Sequence, residues 1–105
     1  MRLARWRGRL DALGEGAVAV WGAGAKGVTF AGLVDPDASR IDCVVDINPA
    51  KQGRFIPGTG HPIVPPDALA ARGVRHVVPM NPAYRAEIAA TLAVSGGARL
   101  VDWDT

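Results

Sequence analysis

Cysteine is almost absent from the 105 residues: Cys43 stands alone, inside an apolar run that reads as a strand. A lone cysteine closes no internal disulfide, and its neighbours make it a small core hydrophobe. Nothing in cysteine usage argues for secretion. Long apolar runs are missing as well. No stretch approaches the roughly 18 residues that suggest a membrane span, so a cytoplasmic chain without a membrane partner is expected. His61, His76 and Cys43 have no metal-ligand spacing, and neither a G-x-S-x-G elbow nor a phosphate-loop G-K-[ST] occurs. No metal site and no catalytic residue is assigned.

Acidic residues are missing from the first ten positions, where Arg2, Arg5, Arg7 and Arg9 place four positive charges. The rest of the chain holds eight Lys/Arg against ten Asp/Glu, so the pI of about 9.2 belongs to one segment and not to the whole domain. Four arginines beside Trp6 are suited to phosphate or anionic lipid. A surface helix with a solvated basic face is the reading favoured here, and no nucleic-acid partner is expected. Leu3, Trp6, Leu10 and Leu13 recur at helical spacing and form a face that docks on the domain.

What is present is enough for one domain. Apolar residues make up 49% of the chain, which supports a buried core at this length. Residues 1–14 read as an amphipathic helix packed on a domain that spans residues 15–105, with Gly14-Glu15-Gly16 breaking the helix. Ala17 to Trp21 reads as a buried strand, the glycine-rich stretch follows, and Val28 to Val34 continues as a helix. Asp35-Pro36 ends that helix, because proline disfavours helical geometry in the residue before it. Ile41 to Val45 is a second strand.

From Asn48 to Pro66 the chain is rich in Pro and Gly, with Arg54-Phe55-Ile56 and Ile63-Val64 as short extended pieces. Structureless loops of this length are often functional. Pro66 to Gly73 brackets a short helix, Val74 to Met80 a third strand, and Asn81-Pro82 starts a helix with Tyr84, Ile88 and Leu92 on one face. Gly96-Gly97 ends it before a last strand from Ala98 to Trp103. Alternating strands and helices predict a three-layer, Rossmann-like α/β fold. Its sheet is mostly parallel, of four to five strands, with helices on both faces. Ligands in such sheets sit at the carboxyl ends of the strands, where strand order reverses.

Gly22, Gly24 and Gly27 form G-x-G-x-x-G between a strand and a helix. The first glycine permits the tight turn, the second admits a phosphate, and the third allows close helix–strand packing. Free amides at the helix start favour an anion. The same glycines also serve any tight strand-to-helix turn. Asp46 lies 19 residues beyond Gly27, where a ribose-binding acid is expected in a dinucleotide fold. Lys51 and Arg54 are placed to neutralise a diphosphate while Asp46 bonds a sugar hydroxyl. Alternatively, Asn48-Pro49 only reverses the chain in a solvated turn. His61, in Pro57-Gly58-Thr59-Gly60-His61-Pro62, is a candidate general base or hydrogen-bond donor, since imidazole titrates near neutrality. No second titratable residue at a diagnostic spacing supports catalysis. Trp21 ends the first strand where S-adenosylmethionine sites usually carry an acid, so the methyl donor is not expected to bind this chain.

Three blocks together resemble a known family. Val20-Trp21-Gly22-Ala23-Gly24-Ala25-Lys26-Gly27-Val28 is similar to the opening of the C-terminal domain of S-adenosylmethionine-dependent sugar C-methyltransferases. Val45-Asp46-Ile47-Asn48-Pro49-Ala50-Lys51-Gln52-Gly53 followed by Pro57-Gly58-Thr59 resembles its second block, and Met80-Asn81-Pro82-Ala83-Tyr84 followed by Glu87-Ile88 its third. The resemblance implies a larger enzyme with a zinc-binding N-terminal region and a central methyl-donor domain, of which this chain is a fragment or detached module. It implies a nucleotide-sugar-binding role beside a catalytic partner domain. Gly22, Gly24, Lys26, Gly27, Asp46, Asn48, Lys51 and His61 would line or support the substrate cleft. No cofactor is expected on this chain; S-adenosylmethionine is implied for the full-length enzyme, and the chain alone is expected to be inactive. The alternative is a free-standing nucleotide-sugar or dinucleotide-binding domain, similar to the N-terminal domain of sugar acyltransferases.

Overall fold

The computed structural model describes residues 3–14, 17–95 and 98–101. Arg2, Glu15, Gly16, the Gly96-Gly97 helix end and the Asp102–Trp103 end of the last strand lie outside the described residues. The chain runs α1 (Leu3–Leu13), β1 (Val18–Trp21), α2 (Ala25–Val34), β2 (Cys43–Val45), β3 (Ile63–Val64), β4 (His76–Pro79), α3 (Arg85–Ser95) and β5 (Arg99–Leu100). Single 3₁₀ turns at Pro66–Ala68 and Pro82–Tyr84 precede β4 and α3.

The five strands form one parallel sheet in the order β3-β2-β1-β4-β5. Ala19 pairs with Cys43 on one side of β1 and with Val77 on the other. The fold is therefore α/β and Rossmann-like, with one reversal of strand order, between β1 and β4. Alternation along β1 explains the layers. Val18 and Val20 face a core built with Trp6, Leu10, Phe30 and Val34 of α1 and α2. Ala19 and Trp21 face the opposite core, built with Ile88 and Leu92 of α3 and with Leu69. α1 is fixed by its apolar face: Leu10 is 1% exposed, and Trp6 meets Phe30 edge-on with centroids 5.2 Å apart. Among the described residues, no helix is long and apolar enough to cross a membrane.

Two connections differ from the sequence reading. Pro66 to Gly73 forms one 3₁₀ turn and a run of turns whose amides bond back over three or four residues, and this path buries Leu69 and then Val74 under the sheet. The segment between β2 and β3 replaces a crossover helix. Parallel strands require the chain to return from the carboxyl to the amino end of the sheet. Here residues 53–56 make that return by running antiparallel to the residues entering β3. Gly53 N–H donates to Ile63 O (2.9 Å), Ile63 N–H to Arg54 O (2.8 Å) and Ile56 N–H to His61 O (2.8 Å). Phe55 and Pro62 form an antiparallel bridge. The Pro/Gly-rich stretch is thus an ordered edge with buried Ile56 and His61.

Candidate ligand cleft at the switch point

The glycine loop leaves β1 through Gly22, whose φ of +122° demands glycine. Gly22 N–H continues the ladder to Val45 O at 2.7 Å. A Cβ on Gly27 would lie 1.8 Å from Gly22 O, so α2 rests directly on the turn. Gly24 is different. It is the N-cap of α2 with φ −78° and ψ −168°, and a Cβ there would meet nothing within 4 Å. No side chain caps this end of α2. The first-turn amides therefore point to the cleft with no side-chain acceptor of their own.

Asp46, at the end of β2, braces this loop. One carboxylate oxygen accepts from Ala23 N–H (3.0 Å), the other from Asn48 N–H (2.9 Å). The Asp46 carbonyl accepts from the Gln52 amide at 2.8 Å. Asn48 closes its own turn, Oδ1 accepting from Ala50 N–H at 3.0 Å. These two residues, read from sequence as ligand contacts, are engaged in building the loops around the site.

Between α2 and α3, above the ends of β1 and β4, lies a cleft of about 500 Å³. That falls within the roughly 300–1,000 Å³ of small-molecule sites. Trp21 and Met80 form its floor, Gly22, Gly24, Lys26 and Gly27 its α2 wall, and Ile47 one rim. Tyr84, Glu87, Ile88 and Thr91 supply the opposite wall. Asn81 orients that wall: its Oδ1 accepts from Ala83 N–H (3.0 Å) and its carbonyl from Tyr84 N–H (3.1 Å), turning the chain from β4 into α3.

Gly22, Gly24, Lys26 and Gly27 are therefore together in the cleft, with Asp46 and Asn48 behind the loop. Lys51 and His61 are not among the lining residues. Lys51 is half-buried in a turn closed by its N–H on Asn48 O at 3.0 Å. His61 is 1% exposed and faces the opposite end of the sheet. Its Nε2 lies 2.7 Å from Asp35 Oδ2 and its Nδ1 2.6 Å from Thr59 Oγ1. Asp35 also accepts from the amides of Ser39, Arg40 and Ile41. Burial works to raise the Asp35 carboxyl pKa, but the His61 hydrogen bond and those three amides outweigh it and hold the group below its ordinary value. An ionised carboxylate only accepts, so Nε2 carries a proton towards Asp35, and Nδ1 shares the second hydrogen bond with the Thr59 hydroxyl. His61 is a structural clamp, its placement set by the return of the β2–β3 segment to the amino end of the sheet.

The sequence reading put Tyr84 and Ile88 on one face but missed Glu87 and Thr91 as parts of the cleft wall. Glu87 and Thr91 follow Tyr84 and Ile88 around the same helical surface, and that spacing was the signal available. Cys43 contributes no chemistry: burial, with Asp42 beside it, pushes its thiol up to about 12. No group of three or more potential metal ligands occurs among the described residues.

The family model for the C-methyltransferase C-terminal domain matches residues 9–101. No curated protein matches the chain significantly. Among solved structures, the crystal structure of RSP, a Rex-family repressor, is similar at 18% identity with a TM-score of 0.57, covering 79% of this chain and 42% of that one. RSP in complex with beta-NAD+ and operator DNA is similar at 16% identity with a TM-score of 0.60, covering 92% of this chain and 48% of that one. At such identities the likeness is one of fold. The chain spans less than half the length of these solved relatives.

Proposed function

The chain belongs to the C-methyltransferase C-terminal domain family, and from that premise we propose that it is the substrate-binding module of a methyltransferase, holding a nucleotide-sugar in the cleft between α2 and α3. One observation carries the reading. The uncapped start of α2, with Gly24 open to the cleft and Lys26 on its wall, offers amides and a cation to a diphosphate at the sheet's switch point. Gly22, Gly24, Lys26 and Gly27 form the phosphate end in this proposal, while Asp46 and Asn48 hold the loop in shape. S-adenosylmethionine is assigned to a partner catalytic domain. Trp21 ends β1 where a donor site usually carries an acid, so the residues here do not suit that cofactor and no methyl-transfer step is derived from them.

Titration calorimetry with UDP-glucose, dTDP-glucose and GDP-mannose tests this reading. A charge-assisted contact is worth about 1.5–3 kcal/mol, so Lys26→Ala should weaken the best of these ligands by roughly tenfold to a hundredfold. Lys51→Ala should leave affinity within about threefold, a change worth well under 1 kcal/mol. The reverse ranking would move the phosphates to the β2–β3 segment. A second reading, a free-standing dinucleotide-binding domain, draws on the similarity over 92% of the chain to a structure titled as a complex with beta-NAD+. NAD+ binding at least as tightly as every nucleotide-sugar would favour it.

A further inference from the structure

The two ends of the cleft differ in chemistry. The α2 end offers amides and Lys26; the α3 end offers a carboxylate and apolar surface. Glu87 is exposed on the first turn of α3, lines the cleft, and makes no ion pair among the described residues. Thr91, one turn further, donates its hydroxyl to Glu87 O at 3.0 Å, which leaves its oxygen free to accept. Trp21 is half-buried on the floor, Tyr84 stands 53% exposed at the rim, and Met80 and Ile88 are buried between them. Asn81 Oδ1 is already engaged with Ala83 N–H. A phosphate beside Glu87 would be repelled, and among the described residues no cation lines the α3 wall of the cleft. A hexose would find partners for some of its hydroxyls in Glu87, Thr91, the Tyr84 hydroxyl and the Asn81 amide, but would set its remaining hydroxyls against the apolar surface of Trp21, Met80 and Ile88. A nucleobase, in contrast, has apolar faces suited to aromatic and thioether surface, with polar groups confined to its edge.

Resting on the nucleotide-sugar reading above, we propose that the α3 end of the cleft seats the nucleoside. The base lies against Trp21 and Tyr84, and Glu87 accepts a hydrogen bond from a ribose hydroxyl or a ring N–H. The diphosphate runs back to Gly24 and Lys26, and the sugar projects out of the cleft, where a catalytic partner reaches it. Glu87 is then a specificity-determining residue for the nucleoside, and Lys26 for the diphosphate.

Calorimetry with the pieces of one ligand decides this, using the series (uridine, thymidine or guanosine) whose nucleotide-sugar binds most tightly. The nucleoside diphosphate should bind within about threefold of the intact nucleotide-sugar, and the sugar 1-phosphate at least a hundredfold more weakly. Glu87→Gln should weaken the nucleoside and the nucleoside diphosphate alike by about tenfold and leave inorganic diphosphate unchanged. Lys26→Ala should weaken inorganic diphosphate and spare the nucleoside. A sugar 1-phosphate that binds as tightly as the nucleotide-sugar, or a Glu87→Gln effect equal for nucleoside and inorganic diphosphate, would overturn the inference while leaving the nucleotide-sugar reading intact. Failure of every nucleotide-sugar to bind would remove both.

Discussion

Asp35 and His61 stand 26 positions apart, yet their side chains meet at 2.7 Å with almost no exposure. Asp35 ends α2, collects three backbone amides that turn the chain towards β2, and holds the β2–β3 segment through His61. Because the folded carboxyl pKa lies below its ordinary value of 3.8, its contribution to stability is complete above that value and lost as pH falls through the folded pKa. Asp35→Asn should therefore cost about 2 kcal/mol or more at neutral pH, as expected when the hydrogen bonds to a buried carboxylate are weakened or lost. It should also flatten the fall in stability of the wild type below about pH 4. Urea denaturation from pH 7 to pH 2 checks both; an unchanged acid slope would contradict the assignment. This clamp was not legible in the sequence. Asp35 read as a helix stop and His61 as a ligand candidate, and nothing local to either shows that the β2–β3 segment doubles back to bring them together.

At the level of elements, the strand–glycine–helix unit was legible almost completely, because its rules are local. The turn with positive φ at Gly22 and the close packing of α2 at Gly27 require glycine in the fold itself, whereas the open N-terminus at Gly24 needs it only to admit a ligand. Those reasons predict separate outcomes. Gly27→Ala puts a methyl 1.8 Å from the Gly22 carbonyl, so α2 must shift off the sheet. A loss of about 2 kcal/mol or more is expected, of the size seen when overpacking displaces backbone. Gly24→Ala adds a methyl in open space at an allowed φ, so its stability cost should stay within about 1 kcal/mol, the usual scale of an N-cap change. The same methyl enters the phosphate end of the cleft and should weaken nucleotide-sugar binding tenfold or more. Thermal melts paired with calorimetry separate the two variants; a stable Gly24→Ala protein with unchanged affinity would take the ligand away from α2. The β2–β3 segment was harder to read. Its prolines and glycines signal turns, but the antiparallel path is set by backbone pairing of Arg54 with Ile63 and of Ile56 with His61, which no alternation of apolar side chains announces. The α3 wall was half-read: Tyr84, Ile88 and Leu92 share a face, but Ile88 and Leu92 bury while Tyr84 opens to the cleft.

For the whole molecule, the alternation of apolar strands and helices was enough to imply a parallel sheet, and its single reversal places the cleft between β1 and β4. The lining of that cleft was legible at the glycine loop and at the Asn81 turn into α3, and not at Glu87 and Thr91. A connection as long as the β2–β3 segment reads as a functional loop, whereas most of it closes the sheet edge and reaches the opposite end. The central claim is that a nucleotide-sugar lies between α2 and α3 and not along the β2–β3 segment. Backbone amide chemical shifts, followed while the best-binding nucleotide-sugar is raised to millimolar concentration, test that claim even if affinity is low. The account predicts saturable shifts at Gly22 to Gly27, Ile47 and Tyr84 to Thr91, with Arg54 to His61 unmoved. Shifts concentrated at Lys51 to His61, with α3 silent, would contradict it.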